Sequence, residues 1–494
     1  MTCQIPVKHD FVSRRLRKVA FALIVGTALP AFAAEKWIEI QSPHFVVESN
    51  ASEAKARDAA RAFEEIRSVF QTAFHGIRVD TGERTLVIAC QDDDSLKSFL
   101  LDYAAAKNRA QLGGWFQPTL DTDYAVINVS SYDATENAYH VIFHEFTHGI
   151  VRMNFGPIPA WLNEGFAEYY GNTVVKQGET DLGQVTEGQL YLLQTAPMIP
   201  LLDLLKVDIH SPLYNERNRS SMFYAESWVM VHYLRSDREA LQNHLLQKYF
   251  IALGKGEDAV SAATEAFGDL GAFEQKLKAY LRRQGFSFMR MKPTARLDDK
   301  ALVARPLSTA ELLAIKADFF ARSGHLKEAG PLAAEALRLS PDLASAHEAA
   351  GYAAYREGDQ AKAAAEFMKA SQLDNKDSRP PFYLAELENG AQATAHLEAT
   401  LAINPDFAPA QSKLAFAYLN NPATRDKASG PAIRAAEIDP ASLNYLANLG
   451  EIYLALGRSQ EARAVSERLT RTARTPEEKA MASSFASRAT GSNN

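Results

Sequence analysis

Beyond Pro306 the sequence repeats itself at an interval of about 34 residues, and no other feature so narrows the folds open to it. Turns fall at Ser340-Pro341, Asp374-Asn375, Asn404-Pro405 and Asp439-Pro440, their second residues spaced by 34, 30 and 35. Between turns the apolar spacing predicts two short amphipathic helices per unit. Small and aromatic positions recur: Ala317, Phe320, Gly324, Ala329 and Ala336 in one unit, then Gly351, Gly358, Ala363, Phe367 and Ala370 in the next. The last carries Leu449, Gly450, Tyr453, Gly457 and Ala462. Small residues are needed where two helices cross closely, and a unit of this size must stack on its neighbours to bury a core. Four or five units fit, the third short by four residues.

This pattern resembles tetratricopeptide repeats. The resemblance implies an all-α tetratricopeptide-repeat solenoid over residues 308–490 that binds a protein partner.

The front of the chain is different. A strand is expected over Trp37 to Glu48, a helix over Ser52 to Phe74, and strands over Thr85 to Cys90 and Tyr124 to Val129. Helical spacing then takes over at Ala138 to Met153, Ala160 to Tyr170, Met222 to Arg235, Leu241 to Leu253 and Gly271 to Arg283. A mixed front and a helical back predict an α+β domain over residues 34–285. Residues 286–307 lack a clear period and are expected to be a linker.

The first 33 residues belong to neither unit. Arg14, Arg15, Arg17 and Lys18 precede the apolar run Val19 to Leu29, and Ala31 and Ala33 follow, as in a secretory signal peptide. The pattern predicts export to a bacterial periplasm or beyond, with no membrane span left after cleavage. Cys3 departs with the leader, so Cys90 has no partner for an internal disulfide and reads as a small buried residue. Cleavage takes five basic groups and one acidic group from a chain of formal charge −7 and leaves −11, which argues against nucleic acid as a partner.

The chemistry lies in Tyr139-His-Val-Ile-Phe-His144-Glu145-Phe-Thr-His148. His144 and His148 are four apart, so one turn of helix aims both imidazoles at one metal ion. Glu145 sits about 100° further round, where its carboxylate reaches a metal-activated water without entering the coordination sphere. Sixteen residues after His148 comes Glu164, in Trp161-Leu-Asn-Glu-Gly-Phe-Ala-Glu168-Tyr, on a second helix entered through Pro159. Glu164 is the candidate third ligand, and Glu168 a candidate to hydrogen-bond a ligand imidazole from behind. Three protein ligands with one open position suit one catalytic Zn2+ per chain; structural sites more often use four ligands and cysteine.

These two segments resemble the gluzincin, or peptidase-MA-like, metallopeptidases. The resemblance implies an α+β zincin-like metallopeptidase domain, with His144, His148 and Glu164 as metal ligands and Glu145 as general base. It also implies a tyrosine from the later helix as oxyanion donor, for which Tyr224 has the matching setting. In such relatives the strand before the metal helix, here Tyr124 to Val129, offers a sheet edge to an extended peptide, and Gly113-Gly114-Trp115-Phe116 is expected to form the adjoining loop. No Gly-x-Met-Glu-Asn motif is present to hold a substrate amine, so an endopeptidase is favoured over an aminopeptidase.

The expected activity is hydrolysis of peptide or protein substrates, the repeats recruiting a protein. A rival of another class is a catalytically silent periplasmic binding scaffold acting through its repeats; a third reading is hydrolysis of a cell-wall crosslink. His140, a turn before His144, is expected on the pocket wall or facing solvent. His44, His75, His210, His232, His244 and His325 show no spacing that suggests a ligand set.

Overall fold

The computed structural model describes residues 36–491, save 75, 81–83, 106–113, 131–138, 156–157, 177–178, 209, 216, 284, 293–298 and 474–475. The expected leader, His75 and Gly113 thus lie outside the described residues.

The segment expected as one strand is a hairpin, β1 (Ile38–Gln41) and β2 (Val46–Ser49), paired antiparallel with Gln41 opposite Val46. Pro43, which has no N–H to offer the ladder, lies in the turn. The helix Glu53–Ala73 follows, capped by the Ser52 side chain. Then come β3 (Arg84–Cys90), β4 (Gly114–Gln117) and β5 (Thr122–Asn128). Two further strands, β6 (Val174–Lys176) and β7 (Glu179–Leu182), lie after the site helices. The last two, β8 (Met289–Met291) and β9 (Val303–Pro306), fall inside the expected linker.

The main sheet runs β4-β5-β3-β2-β1-β9, with β2, β3 and β5 mutually parallel and the others antiparallel to their neighbours. Two expectations are corrected here. The strand over Tyr124 to Val129 is interior, because β4 pairs with β5 and is itself the edge; Gly114, Trp115 and Phe116 are strand, not loop. Residues 286–307 do not form a free linker: β9 completes the main sheet on β1, and β8 completes a small sheet of order β6-β7-β8. Arg290 of β8 forms an ion pair with the buried Asp181 at 2.7 Å.

Side chains alternate across the main sheet, and both faces are buried. Val47, Val87, Ala89, Ala125 and Ile127 join the core beneath the helix Glu53–Ala73 and the site helices. Leu86, Ile88, Cys90, Tyr124 and Val126 face the other way and pack with Phe319, Phe320, Tyr352 and Phe382 of the repeats.

The repeats form five helical pairs and a terminal helix, beginning with Thr309–Arg322 and Leu326–Leu339 and ending with Leu443–Ala455, Ser459–Thr472 and Pro476–Gly491. The short third unit has a cause: its first helix, Arg379–Leu387, is 9 residues long where the first helices of the two preceding pairs have 14. Gly351 and Gly450 mark close crossings, since a Cβ at either would lie 2.9 Å or less from the rings of Phe367 and Phe485.

Charge also crosses between sheet and repeats. Arg322, fully buried, contacts Asp121 and donates to Asp318 at 2.9 Å. Tyr383 donates to Asp121 at 2.8 Å, Tyr124 donates to Asp318, and Arg379 pairs with Glu348 at 2.7 Å. Later units also touch the front domain: Arg78 lies 3.5 Å from Asp406, and Arg152 lies 4.0 Å from Asp439. Among the described residues no helix is long and apolar enough to cross a membrane.

Candidate metal centre

The helix His140–Phe155 buries Ile142, Phe143, Ile150, Val151 and Met153 against the sheet and the first helix, which turns His144 and His148 away from the core. The helix Ala160–Gly171 starts at Pro159, whose missing N–H costs nothing at a helix start, and buries Trp161, Leu162, Phe166, Tyr169 and Tyr170. Gly165 lets it lie on the long helix Arg217–Ser236, because a Cβ there would stand 2.4 Å from the carbonyl oxygen of Ser227.

These packings bring the expected ligands together. The Nε2 atoms of His144 and His148 are 3.1 Å apart, and Oε2 of Glu164 lies 3.2 Å from the first and 3.4 Å from the second. Tetrahedral zinc with ligands at 2.0–2.2 Å has donor atoms separated by about 3.3–3.6 Å, so the triangle has the size of one face of that tetrahedron. Oε2 of Glu164 is buried and accepts no aligned hydrogen bond, and both Nδ1 atoms are likewise without an aligned partner. Three atoms that can each offer a lone pair, drawn this close together, fit a cation.

The surroundings hold these donors in place. Oε1 of Glu164 accepts a hydrogen bond from the Tyr214 hydroxyl at 2.7 Å. Glu168 places Oε1 3.1 Å from Nδ1 of His144, off the line of a good hydrogen bond, and accepts from Gln189 at 2.6 Å. His140 faces Glu168 at 3.3 Å, so it belongs to this network and is more than a pocket wall. A second trio of donor groups, His140, His144 and Glu168, is thereby assembled on the far side of the His144 ring.

Tyr224, half-buried on the long helix, has its ring centroid 6.2 Å from that of His144 and comes within hydrogen-bonding reach of Tyr214. Glu145 is on the same side, near enough for its charge to bear on Tyr224. Thus Glu145, Tyr224 and the three candidate ligands share one site.

Burial alone would keep His144 neutral, but the carboxylates of Glu164 and Glu168 overcome it and lift its pKa to about 10. Burial likewise opposes ionisation of Glu164, yet the two imidazoles bring it down to about 2. Glu168 is held well below the usual carboxylate range by His140 and His144 despite its burial. Burial first, then the charges of Glu164, Glu168 and Glu145, raises the Tyr224 phenol above its ordinary range.

Sequence reasoning missed Tyr214 and Gln189. Tyr214 sits in the four-residue helix Pro212–Asn215, fifty residues past Glu164, with no local pattern to mark it. Gln189 carried a signal, the capping box with Thr186, but nothing in that box says its amide also holds Glu168.

A tetratricopeptide repeat family model matches residues 443–475, the last helical pair. Several solved structures resemble part of the chain. MamA is 20% identical over 35% of this chain and 94% of its own, with a TM-score of 0.30. YrrB, described as a TPR protein with an unusual peptide-binding site, is 18% identical over 35% of this chain and 92% of its own, with a TM-score of 0.31. Yeast Tom70 is 16% identical over 62% of this chain and 69% of its own, also at 0.31. Scores this low carry nothing further, and the repeat architecture rests on the paired helices and the family match. No curated protein matches the chain by sequence. The family match lies wholly within the repeats, so the cluster at His144 stands on its geometry alone.

Proposed function

We propose that the chain is an exported zinc-dependent peptidase of the gluzincin kind. One observation supports this above others: the donor atoms of His144, His148 and Glu164 make a triangle with edges of 3.1, 3.2 and 3.4 Å. A zinc ion held by those residues would supply Lewis-acid polarisation of the scissile carbonyl and activation of the attacking water.

The chain's own groups do the rest. Glu145 takes the proton of the attacking water and passes it to the leaving nitrogen. Tyr224, whose proton is held by burial and by the nearby carboxylates, donates to the oxyanion of the tetrahedral intermediate. Glu168 orients His144 through Nδ1, leaving Nε2 for the metal, while Tyr214 and Gln189 fix the two carboxylates.

A second reading is a binding scaffold without turnover, and the family match favours it, since tetratricopeptide repeats commonly bind proteins or peptides. The test is metal content and hydrolysis of unfolded protein and mixed peptides by the purified mature chain, beside Glu145→Gln. The peptidase reading expects about one zinc in each protein and a loss of roughly 10²–10⁴-fold in rate for the variant. Zinc in both with cleavage by neither leaves the scaffold; no zinc at neutral pH removes the metal reading. Export is checked by the same preparation, whose N-terminus should begin at or near Ala34.

A further inference from the structure

A cavity of about 370 Å³ lies on the face of the main sheet away from the candidate metal centre, between β1, β2, β3, β5 and β9 and the first three helical pairs of the repeats. Its size suits a small ligand or one long side chain. Gln41, Ser345 and Asp374 are exposed at its mouth, whereas Glu48, Tyr124, Glu348 and Arg379 are buried at its floor.

Charge in this cavity does not balance. Seven carboxylates line it against two guanidiniums, those of Arg305 and Arg379. Arg305 is shared by Glu39 and Glu311, each at 2.6 Å. Arg379 is shared by Asp377 at 2.6 Å, Glu348 at 2.7 Å and Asp318 at 3.7 Å. A third guanidinium, that of Arg322, stands behind the lining and pairs with Asp318 at 2.9 Å, but Asp121 engages it too. Three guanidiniums thus serve six carboxylates, and Glu48 and Asp374 line the cavity as well.

Glu348 shows the deficit at one atom. Its residue is only 4% exposed, and its Oε2 accepts from Arg379 at 2.7 Å. Its Oε1 is buried without a hydrogen-bond donor, and Nη2 of Arg322 is 3.8 Å away from it. Burial is the largest influence on this carboxyl and lifts its pKa well above the usual range; Arg379 opposes the rise, and Asp377 and Asp318 add to it. A buried carboxylate that lines a cavity and has an oxygen without a donor is stabilised by a cation that enters there.

The placement of the acids decides the kind of cation. Among the described residues, three metal-ligating side chains converge to within 4.8 Å only at the candidate metal centre, so the carboxylates of this cavity do not gather on one point as a metal ion requires. Leu86, Ile315 and Leu343 line the same cavity and offer apolar wall to the stem of a long side chain or an alkyl amine.

We propose that this cavity binds an organic cation, an ammonium or guanidinium group on an apolar stem, with Glu348 at its floor. The site involves none of the candidate metal ligands and does not depend on the peptidase reading. The cation has two possible sources, a Lys or Arg side chain of a protein partner or a free polyamine.

The test is isothermal titration calorimetry of the full mature chain with small probes. These are spermidine, the blocked amides N-acetyl-lysine and N-acetyl-arginine methylamide, their neutral counterparts made from norleucine and citrulline, and Mg2+ alone. The expected result is a single saturable site at which the organic cations bind roughly tenfold or more tightly than the neutral counterparts. Tighter binding of spermidine assigns the free polyamine, and tighter binding of the blocked amides assigns the side chain of a partner. Ser345→Arg, at the exposed mouth, brings a tethered guanidinium to the cavity and should weaken binding by roughly tenfold while the thermal midpoint stays unchanged. Glu348→Gln should weaken it likewise; because Glu348 also holds Arg379, the Ser345 variant decides the matter where that one does not fold. Equal affinity for the neutral counterparts, Mg2+ taking the place of the organic cations at equal affinity, no saturable binding, or unchanged affinity in folded Ser345→Arg overturns the proposal.

Discussion

Tyr214 holds Oε1 of Glu164, the oxygen that does not face the imidazoles, and its hydroxyl is the one partner of that atom among the described residues. Tyr214→Phe removes that bond while keeping the ring against Phe223, 5.8 Å away between centroids. Zinc affinity should fall by roughly 10–100-fold, read by competition with a chromophoric chelator, with the far-ultraviolet dichroism unchanged. A second residue reports through pH. His232 is wholly buried, its Nε2 2.7 Å from the Ser287 carbonyl oxygen and its Nδ1 2.7 Å from the Tyr280 hydroxyl. Nε2–H thus donates to the carbonyl and Tyr280 donates to Nδ1. Burial, resisted by the Ser287 carbonyl, lowers the His232 pKa to about 4. Between about 6.5 and about 4 the unfolded chain binds a proton that the folded one refuses, so stability falls as pH drops through that window and levels below it. The loss is at most about 3 kcal/mol. Urea midpoints at pH 7, 6 and 5 should fall more steeply for the wild type than for His232→Gln; parallel slopes would contradict this.

At the scale of elements, the site depends on how closely the helix Ala160–Gly171 lies on Arg217–Ser236. Gly165→Ala places a methyl 2.4 Å from the Ser227 carbonyl oxygen and 2.6 Å from the Val231 side chain, so the helices must part. We expect a loss of about 1–3 kcal/mol in urea unfolding and weaker zinc retention, because Glu164 is the adjacent residue. Element boundaries followed the sequence at the long amphipathic helix Glu53–Ala73 and at Ala160–Gly171, which is buried nearly all round and whose start Pro159 marks. They departed from it where one residue breaks a pattern. The helix expected over Leu241 to Leu253 is divided into Arg238–Gln242 and Leu245–Gly254 at His244, whose φ of 53° is left-handed. That backbone state is set by the packing on either side and leaves no apolar signature.

For the whole molecule, the repeats are part of the front domain's core. Leu86, Ile88, Tyr124 and Val126 are buried under the repeat helices together with Leu96, Phe99 and Leu100 of the front domain. Residues 36–306 made without the repeats should therefore aggregate, seen by light scattering, while the full mature chain should unfold in urea without an early, separate transition of the repeats. Arg322→Met tests the ionic part of the same contact. It leaves the buried Asp121 without its guanidinium and takes one of two from Asp318, and should cost about 3–5 kcal/mol. The packing also narrows what the repeats offer a partner, since the first helices of their first and third pairs hold the front domain through Lys316, Arg322, Arg379 and Tyr383.

The sequence by itself determined the elements whose cause is local: the repeat interval, the helix that carries His144 and His148 on one face, and the Pro159-entered helix that carries Glu164 and Glu168. Periodicity and spacing are properties of neighbouring residues, and they survive any tertiary arrangement. Only the tertiary structure decided the remainder. It brought Tyr214 to Glu164 and Gln189 to Glu168, made β8 and β9 strands by giving unpatterned segments a sheet edge to pair with, and laid the repeats over one face of the main sheet. Each of these joins residues far apart in the chain, and such contacts depend on how whole faces fit together, which no short run of residues records.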